Sequence, residues 1–452
     1  QNRVIQLLTK QMGNSYLGNW EKEERNSPIE EWLLSQYLQG KYSPALIKKA
    51  IHALQNAASV TGKNLYETNK EVYSMLRYGV KLREEIGEQH ETVQLINWTE
   101  PLANHFGVAE EVTVKGQFKK RPDIVLYVNG IALGVLELKK STVSVTEGIR
   151  QNLDNQQDYF IQPFFATIQL VMAGNDAEGL RYGVIDTKEK YYLTWKEADP
   201  EKYGHLLDGP ITSLAEGRES LLDKHIVQVC DRSRFLEIIH DFMIFDRGIK
   251  KACRPNQYFG IRAAQEHVRQ REGGIIWHTQ GSGKSLTMVW LARWIRENIT
   301  NSRILIITDR DELDKQIEKV FKGVGEEIVR TKSGADLVAK LNDARPLVMC
   351  SLVHKFGRKE EADDTDYENY LEELRRSIPN DFKAKGDVYV FVDECHRTQS
   401  GKLHKAMRQL LPNALLVGFT GTPLLKKDKQ TSLEVFGKYI HTYKFDEAVK
   451  DK

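Results

Sequence analysis

A short segment near the middle of the chain limits the possible folds more than any other feature. An apolar run from Gly274 to Trp277 leads into His-Thr-Gln-Gly-Ser-Gly-Lys-Ser, and the apolar spacing of a helix follows. A strand, a glycine-containing loop, Gly-Lys-Ser and a helix in this order are typical of a phosphate-binding loop, because glycines let backbone N–H groups converge on phosphate oxygens. The segment therefore predicts a strand–loop–helix unit that binds a phosphorylated ligand.

The residues of this loop have separate predicted roles. Lys284 would reach the β- and γ-phosphates of a nucleotide, and the Ser285 hydroxyl would bind Mg²⁺. His278 stands where the usual pattern has its first glycine, and this is a departure from the pattern. The predicted nucleotide contacts of the loop are Gly281, Ser282, Gly283, Lys284 and Ser285.

A second strand end carries the carboxylates that such a site needs. Val388 to Val392 has the composition of a fully buried strand and runs directly into Asp393-Glu394-Cys395-His396. Carboxylates at the C-terminal end of a parallel strand lie beside the phosphate-binding loop in folds of this kind. We therefore predict that Asp393 holds Mg²⁺ and that Glu394 orients or deprotonates the attacking water. An acidic turn after a buried strand is the alternative.

Length and composition indicate a globular chain with two or more domains. The 452 residues are 40% hydrophobic and 28% charged, and the net charge of +2 means that any DNA-binding surface must be a local patch. The four cysteines are scattered without a C-x-x-C pair, which indicates a reducing compartment and argues against a zinc site. No apolar run approaches transmembrane length and no signal-peptide pattern is present, so we predict a cytoplasmic protein with no membrane partner.

The sequence pattern changes along the chain and predicts an α/β protein in several parts. The first part is mostly helical to about residue 90 and then rich in strands, with a helix from about Val145 to Phe160. In the last part apolar strands alternate with helices, which favours a parallel sheet covered on both faces. An acid-rich stretch at 359–376 is predicted to be a solvated surface insertion. The predicted parts are residues 1–200, a helical linker region at 201–250 with helix to about Gly248, and residues 251–452.

Two carboxylates and a lysine are predicted to meet at the end of a hairpin in the first part. Asp123 precedes one strand, Glu137 and Lys139 end the next, and Asn129-Gly130 forms the turn between them. Period-two geometry puts Glu137 and Lys139 on the same face of their strand, and the hairpin brings Asp123 alongside. Carboxylate oxygens suit Mg²⁺, which can stabilise charge developing on a phosphodiester, while a lysine can position or activate the attacking water. The alternative is a polar hairpin end with a surface salt bridge.

This arrangement resembles the PD-(D/E)xK nuclease motif, with Pro122-Asp123 as its first part and Glu137-Leu138-Lys139 as its second. The resemblance implies a restriction-endonuclease-like α/β/α domain in which Asp123 and Glu137 bind metal and Lys139 assists the nucleophile. A nearby basic run with an aromatic residue inside it fits either contacts to DNA phosphates or a solvated loop. That run consists of Lys115, Phe118, Lys119, Lys120 and Arg121.

Related nucleases of the RecB type add a helix with a Gln-x-x-x-Tyr pattern. Gln151 matches the glutamine of that pattern, which implies a role in holding the DNA backbone or the catalytic carboxylates. Asn155 occupies the tyrosine position, so this part of the pattern does not carry over. Tyr159, one turn further along, is an alternative to Asn155 for the missing side chain.

Motifs of the last part resemble those of superfamily 2 motors, which share a RecA-like parallel-sheet lobe. Gln257 stands where such motors place a glutamine that reads adenine, although an ordinary polar residue at a helix start fits equally. The resemblance implies that Thr420 and Thr422 couple the nucleotide state to the grip on DNA. The matching motifs are Gln280 to Ser285, Thr308 to Asp314, Asp393 to His396 and Gly418 to Pro423.

A nuclease motif followed by a motor motif resembles the restriction subunit of type I restriction–modification enzymes. Tyr16 to Trp20 and Asn26 to Glu30 resemble the N-terminus of that family. The resemblance implies ATP and Mg²⁺ as cofactors, ATP-driven translocation along double-stranded DNA, and cleavage that depends on a methyltransferase subunit and a specificity subunit. It also implies that this chain is the N-terminal portion of such a subunit, because motifs of a second RecA-like lobe are not found in it.

Two other functions remain open from the sequence. A repair-type nuclease–helicase would cut at DNA ends without regard to methylation. A nucleotide-sensing switch would use the phosphate-binding loop alone, with the nuclease-like hairpin as a structural element. Under the second hypothesis, Lys139→Ala would leave function untouched and Lys284→Ala would abolish it.

Overall fold

The computed structural model divides the chain into two compact units, Gln1–Arg254 and Pro255–Lys452. Among the described residues, no helix combines the length and apolar character needed to cross a membrane. The residues that the structure describes do not include most of the predicted insertion at 359–376. They also do not include four residues of the sequence motifs, Asp309, Arg310, His396 and Pro423. For residues 311–314 and 316 the structure describes the backbone alone. It describes the rest of the chain except residues 86, 88, 309–310, 324, 326, 346, 353–368, 370–371, 375, 380–381, 396–406, 408–409, 423–432, 435 and 452.

The first unit is built on a seven-stranded mixed sheet with helices and two separate two-stranded antiparallel pairs. Its strands are β1 (Ser15–Asn19), β2 (Val80–Leu82), β3 (Glu91–Val93), β4 (Phe106–Glu110), β5 (Ile124–Val128), β6 (Ile131–Leu138), β7 (Leu170–Asn175), β8 (Gly179–Gly183), β9 (Leu193–Thr194), β10 (Met243–Asp246) and β11 (Ile249–Ala252). The two separate pairs are β2-β3 and β10-β11. Its helices are α1 (Asn2–Gln6), α2 (Glu31–Leu38), α3 (Pro44–Ala57), α4 (Leu65–Tyr78), α5 (Val145–Asn155), α6 (Pro200–Tyr203), α7 (Gly209–Ala215), α8 (Leu221–Cys230) and α9 (Arg232–Asp241).

The order of the large sheet is β1-β4-β5-β6-β7-β8-β9. The β5–β6 hairpin at its centre is antiparallel, as predicted, with Asn129 and Gly130 in the turn, and β6 pairs with β7 in parallel. The side chains of β5 are all buried, and a cluster that includes Trp20 and Tyr127 covers the face of the sheet that Val125 and Tyr127 share. Each large apolar side chain buried here stabilises the fold by about 1.5–3 kcal/mol, which offsets the cost of placing a carboxylate at the end of β6.

Three boundaries in the first unit differ from the sequence prediction. The sequence pattern predicts a strand from Phe106 to Val114, whereas strand β4 ends at Glu110, because Glu111 turns the backbone to a φ of 51°. Helix α5 ends at Asn155, five residues earlier than predicted. The prediction of helix up to Gly248 is wrong for its last part, where β10 and β11 pair as an antiparallel hairpin. The predicted linker region at 201–250 lies within the first unit.

The second unit is a parallel seven-stranded sheet, as the alternation of strands and helices predicted. Its strand order is β14-β15-β13-β16-β17-β12-β18, and the pairs in this sheet are parallel. The strands are β12 (Gly274–His278), β13 (Ser302–Thr308), β14 (Val329–Arg330), β15 (Val348–Leu352), β16 (Asp387–Val392), β17 (Leu415–Thr420) and β18 (Tyr439–Tyr443). The helices are α10 (Pro255–Arg269), α11 (Lys284–Asn298), α12 (Asp311–Gly323), α13 (Gly334–Asn342) and α14 (Phe445–Lys450).

Candidate functional sites

The β5–β6 hairpin brings two carboxylates together at one end of the first sheet. Ile124 lies opposite Leu136 in the antiparallel register, so Asp123 and Glu137 come next to each other one position further on. The backbone N–H of Leu138 donates a hydrogen bond of 2.6 Å to Oδ2 of Asp123 and fixes that carboxylate beside the strand. Glu137 is fully buried, whereas Asp123 is half-buried. The pair therefore reaches from the sheet interior to the surface.

Burial and charge both act on Glu137. Its removal from water raises the pKa of the Glu137 carboxyl well above its usual range, and the neighbouring charge of Asp123 raises it further. The ammonium group of Lys139 acts in the opposite direction and lowers the pKa of Glu137. Two adjacent carboxylates with one lysine are thus short of positive charge, and a divalent cation between them would stabilise the ionised form of both.

Helix α5 lies over this pair and supplies the amide groups that hold it. Nε2 of Gln151 donates to Oε2 of Glu137 at 2.7 Å, and the Nζ of Lys139 donates to Oε1 of the same Gln151. One amide therefore bridges the buried carboxylate and the lysine. The structure brings together the four residues singled out in the sequence: Asp123, Glu137, Lys139 and Gln151.

Two further residues of α5 belong to the same face and were not assigned to the site from sequence. Nδ2 of Asn155 is 3.4 Å from Oε1 of Glu137, so Asn155 contacts the carboxylate, whereas Tyr159 is 44% exposed and packs on Phe160. A Cβ added at Gly148 would lie 3.0 Å from Cβ of Ala173 and 3.6 Å from Cβ of Glu137. The spacing of Gly148, Gln151 and Asn155, which puts them on one helix face, is the signal that could have found them.

The predicted basic run next to the site is engaged with acidic and aromatic neighbours. Lys119 pairs with Glu24, and Arg121 pairs with Glu111 at 2.7 Å. The Nζ of Lys120 lies 3.7 Å from the ring centroid of Phe160. A DNA phosphate bound here would have to exchange with these partners, so both the DNA-contact and the solvated-loop interpretations of the run stay open.

The donor set of this site fits a hard divalent cation. Within the part of the chain that the structure describes, no group of three or more His, Cys, Asp and Glu side chains is arranged around a metal position. The site offers two carboxylates, Asp123 and Glu137, and oxygen donors of this kind are what Mg²⁺ prefers together with several waters. These two carboxylates are the kind of ligand that suits Mg²⁺.

In the second unit, the loop between β12 and α11 has the geometry of a phosphate-binding loop. Gly283 adopts a φ of 86° at the N-terminus of α11, and a Cβ added there would lie 2.5 Å from Nε2 of Gln257. The same Nε2 donates to the carbonyl oxygen of Gly283 at 3.1 Å. Gln257, which stands where superfamily 2 motors place a glutamine that reads adenine, is buried and holds the loop backbone in this structure. Glycine is required at position 283 by both conformation and space.

The lysine of the loop and the acid after β16 meet beside the loop. Nζ of Lys284 is 3.4 Å from Oε1 of Glu394, and the other carboxylate oxygen accepts a contact of 3.4 Å from the N–H of Gly421. Glu394 has a φ of 47°, a conformation that residues with a side chain seldom adopt and that often accompanies a functional constraint. The ends of β12, β16 and β17 therefore contribute to a single site.

The remaining predicted residues lie around this point. Asp393 is buried at the end of β16, and its Oδ1 accepts a hydrogen bond of 2.9 Å from the N–H of Glu394. Ser285 lies half-buried in the first turn of α11, whose N-terminus favours an anion. Oγ1 of Thr420 donates to the carbonyl oxygen of Thr422 at 3.1 Å and closes the turn after β17. Gly281 and Ser282 form the loop itself, the first exposed and the second buried.

The first unit is thus an α/β domain with a buried and a half-buried carboxylate side by side, and the second is a parallel-sheet domain in which Lys284 of the phosphate-binding loop meets Glu394. Residues 1–190 match the family model of the type I restriction enzyme R protein N terminus, and residues 256–452 match that of the SWI2/SNF2 ATPases. The two matches and their order along the chain agree with the resemblance to the restriction subunit of type I restriction–modification enzymes that the motifs indicated.

Curated relatives agree with these two matches. The chain is 28% identical to the HindI endonuclease subunit, a type I restriction enzyme of Haemophilus influenzae, with 91% of this chain and 40% of the relative aligned. It is 27% identical to the SsaAORF53P endonuclease subunit of Staphylococcus saprophyticus over 87% of this chain and 40% of the relative. The chain thus spans less than half the length of these relatives. Among solved structures, the Sulfolobus solfataricus SWI2/SNF2 ATPase core in complex with dsDNA aligns at 16% identity and a TM-score of 0.31, over 44% of this chain and 37% of that one.

Proposed function

We propose that this chain carries the endonuclease domain and the first motor lobe of a type I restriction enzyme. The reaction is Mg²⁺-dependent endonucleolytic cleavage of unmodified double-stranded DNA, coupled to ATP-driven translocation, in a cytoplasmic complex with a methyltransferase subunit and a specificity subunit. The observation that carries the proposal is the bridge made by Gln151 between Glu137 and Lys139, on a chain that also has a phosphate-binding loop. The two relatives named above support it, since each is named as an endonuclease subunit.

In the nuclease site, Asp123 and Glu137 would hold Mg²⁺, and the bound ion would stabilise the negative charge that develops on the phosphodiester. Gln151 keeps Glu137 and Lys139 at a fixed separation by donating to one and accepting from the other. Lys139, whose ammonium group donates to Gln151, would position or activate the attacking water. Asn155 contacts the second oxygen of Glu137 and would help to hold the orientation of this buried carboxylate.

In the motor site, the loop backbone and Lys284 would hold the β- and γ-phosphates of ATP. Ser285 and Asp393 would hold the Mg²⁺ that accompanies the nucleotide, and Glu394 would orient the attacking water. Glu394 also contacts the N–H of Gly421, so a shift of Glu394 on hydrolysis of the γ-phosphate would move the turn after β17. Thr420 and Thr422 lie in that turn and would pass the change to bound DNA.

The test is cleavage of a circular plasmid with an unmethylated recognition site by the full-length subunit, assembled with its methyltransferase and specificity partners. Cutting is followed with and without ATP for wild type, Lys139→Ala and Lys284→Ala, and Lys140→Ala serves as the matched control because Lys140 is the exposed neighbour. We expect ATP-dependent cutting that both Lys139→Ala and Lys284→Ala abolish and that Lys140→Ala retains. Cutting that persists in Lys139→Ala would remove the nuclease assignment, and cutting at DNA ends regardless of methylation would favour a repair-type enzyme.

A further inference from the structure

Two histidines form a hydrogen-bonded pair next to the start of the phosphate-binding loop. Nε2 of His278, the last residue of β12, lies 2.9 Å from Nδ1 of His441 in β18. Both side chains are buried, and their rings meet edge to face with centroids 5.1 Å apart. Burial, the neighbouring His441 and the charge of Lys284 all lower the pKa of His278, which lies well below its usual range. The two residues are 163 positions apart in sequence.

The loop is attached to β18 at a second point as well. The N–H of Thr279, the first loop residue, donates to the carbonyl oxygen of Tyr443 at 2.9 Å. Strands β12 and β18 pair in parallel up to His278 and Tyr443, with an irregularity in the register between Ile275 and Ile276. The beginning of the loop therefore follows the position of β18 through one backbone bond and one side-chain bond.

Helix α10 encloses the histidine pair from the other side. A Cβ added at Gly260 would lie 2.8 Å from Cε1 of His278 and 3.4 Å from Nδ1 of His441, so only glycine leaves room for both rings. Three residues earlier on the same face of α10, Gln257 holds the carbonyl oxygen of Gly283 at the far end of the loop. One helix face thus contacts the His–His pair at the start of the loop and the backbone at its end.

We propose that His278 and His441 are positioning residues that set the conformation of the phosphate-binding loop and tie it to β18. The usual loop pattern has a small, flexible glycine at position 278, and this chain has a ring that reaches a partner on the neighbouring strand. The pair would make the geometry of the loop depend on the position of β18, and hence on the chain that follows β18. This inference rests on the proposed ATP site and adds to it a residue that no nucleotide contact requires.

The experiment measures the affinity of the assembled full-length enzyme for a fluorescent ATP analogue with Mg²⁺, alongside kcat for ATP hydrolysis. His278→Ala and His441→Ala are each expected to weaken binding about five- to tenfold, the effect of one lost hydrogen bond, and the double variant no more than either alone. His441→Asn, whose amide can occupy the place of Nδ1, is expected to restore most of the affinity. Gly260→Ala should weaken binding by displacing the rings without removing either.

Controls separate this inference from the ATP site itself. His267→Ala removes a histidine of α10 that lies two turns beyond Gly260, and this variant should bind the analogue as wild type does. Additive effects of the two histidine variants, or unchanged affinity in a folded His441→Ala and Gly260→Ala, would overturn the proposal. If Lys284→Ala also binds the analogue as wild type does, the ATP site is wrong and the pair has no loop to position. A merely structural role predicts a lower melting temperature with unchanged affinity.

Discussion

Removing the amide of Gln151 isolates the contribution of α5 to the nuclease site. In Gln151→Ala, Oε2 of Glu137 loses its 2.7 Å donor and Lys139 loses its acceptor. A hydrogen bond to a charged group contributes about 1.5–3 kcal/mol, and the loss of a partner that orients a metal ligand typically lowers activity by about ten- to a hundredfold. We therefore expect DNA cleavage to slow by about ten- to a hundredfold. ATP hydrolysis should stay unchanged, because Gln151 lies in the first unit.

The assay is plasmid cleavage at a series of Mg²⁺ concentrations, with ATP hydrolysis recorded in the same samples. If Gln151 orients the carboxylate, Gln151→Ala should need more Mg²⁺ for half-maximal cleavage, and added Mg²⁺ should recover part of the rate. Gln157→Ala is the matched control, since Gln157 is an exposed glutamine just beyond the same helix. Equal cleavage rates and equal Mg²⁺ dependence in wild type and Gln151→Ala would refute the role assigned to the bridge.

Three further outcomes follow from the same contacts. Gly148→Ala should reduce cleavage at least tenfold, measured on the plasmid, because the new Cβ presses on Ala173 at 3.0 Å and displaces α5 from Glu137. Because the pKa of Glu137 is raised in the folded protein, its protonated form stabilises the fold, and this stabilisation is lost as pH rises through that pKa. Without Mg²⁺, Glu137→Gln should therefore have a higher melting temperature than wild type at mildly alkaline pH. The difference in melting temperature should disappear at acidic pH. Glu394→Gln should keep the affinity for an ATP analogue but slow hydrolysis by about a hundredfold or more, seen as a fall in kcat, since it removes the base beside Lys284.

The sequence predicted those parts of the fold that are determined by residues close to each other along the chain. The hairpin at Asn129-Gly130 and the strand–loop–helix at Lys284 are set by turn chemistry and short-range spacing, and the structure has both. The hairpin β10–β11 was missed because its apolar residues follow a helix directly, and its strand character comes from a turn in which Arg247 and Gly248 both have positive φ. Periodicity alone does not distinguish a short apolar strand from the last turn of a helix.

In the two sites as well, contacts between residues close in sequence were predictable and contacts between distant residues were not. Asp123, Glu137 and Lys139 share one hairpin, so strand geometry alone places them together. The contact of Asn155 with Glu137 depends on how α5 packs on the sheet. The spacing of residues within α5 does not indicate which strand the helix packs against. The His278–His441 pair joins residues from opposite ends of the second unit, and only the strand order shows that β12 and β18 are neighbours. Long-range pairing of this kind is set by tertiary packing, which a single sequence does not display.

Glycines inside helices offer one way to find such packing in advance. Glycine costs a helix about 1 kcal/mol relative to alanine, so a glycine kept in a helix interior calls for a contact that no side chain permits. In this chain Gly148 of α5 lies against Glu137, and Gly260 of α10 lies against His278 and His441. Replacing either glycine by alanine favours the helix locally and yet presses on groups proposed to act at a site. A gain in helix propensity combined with a loss of activity would therefore separate function from stability at both positions.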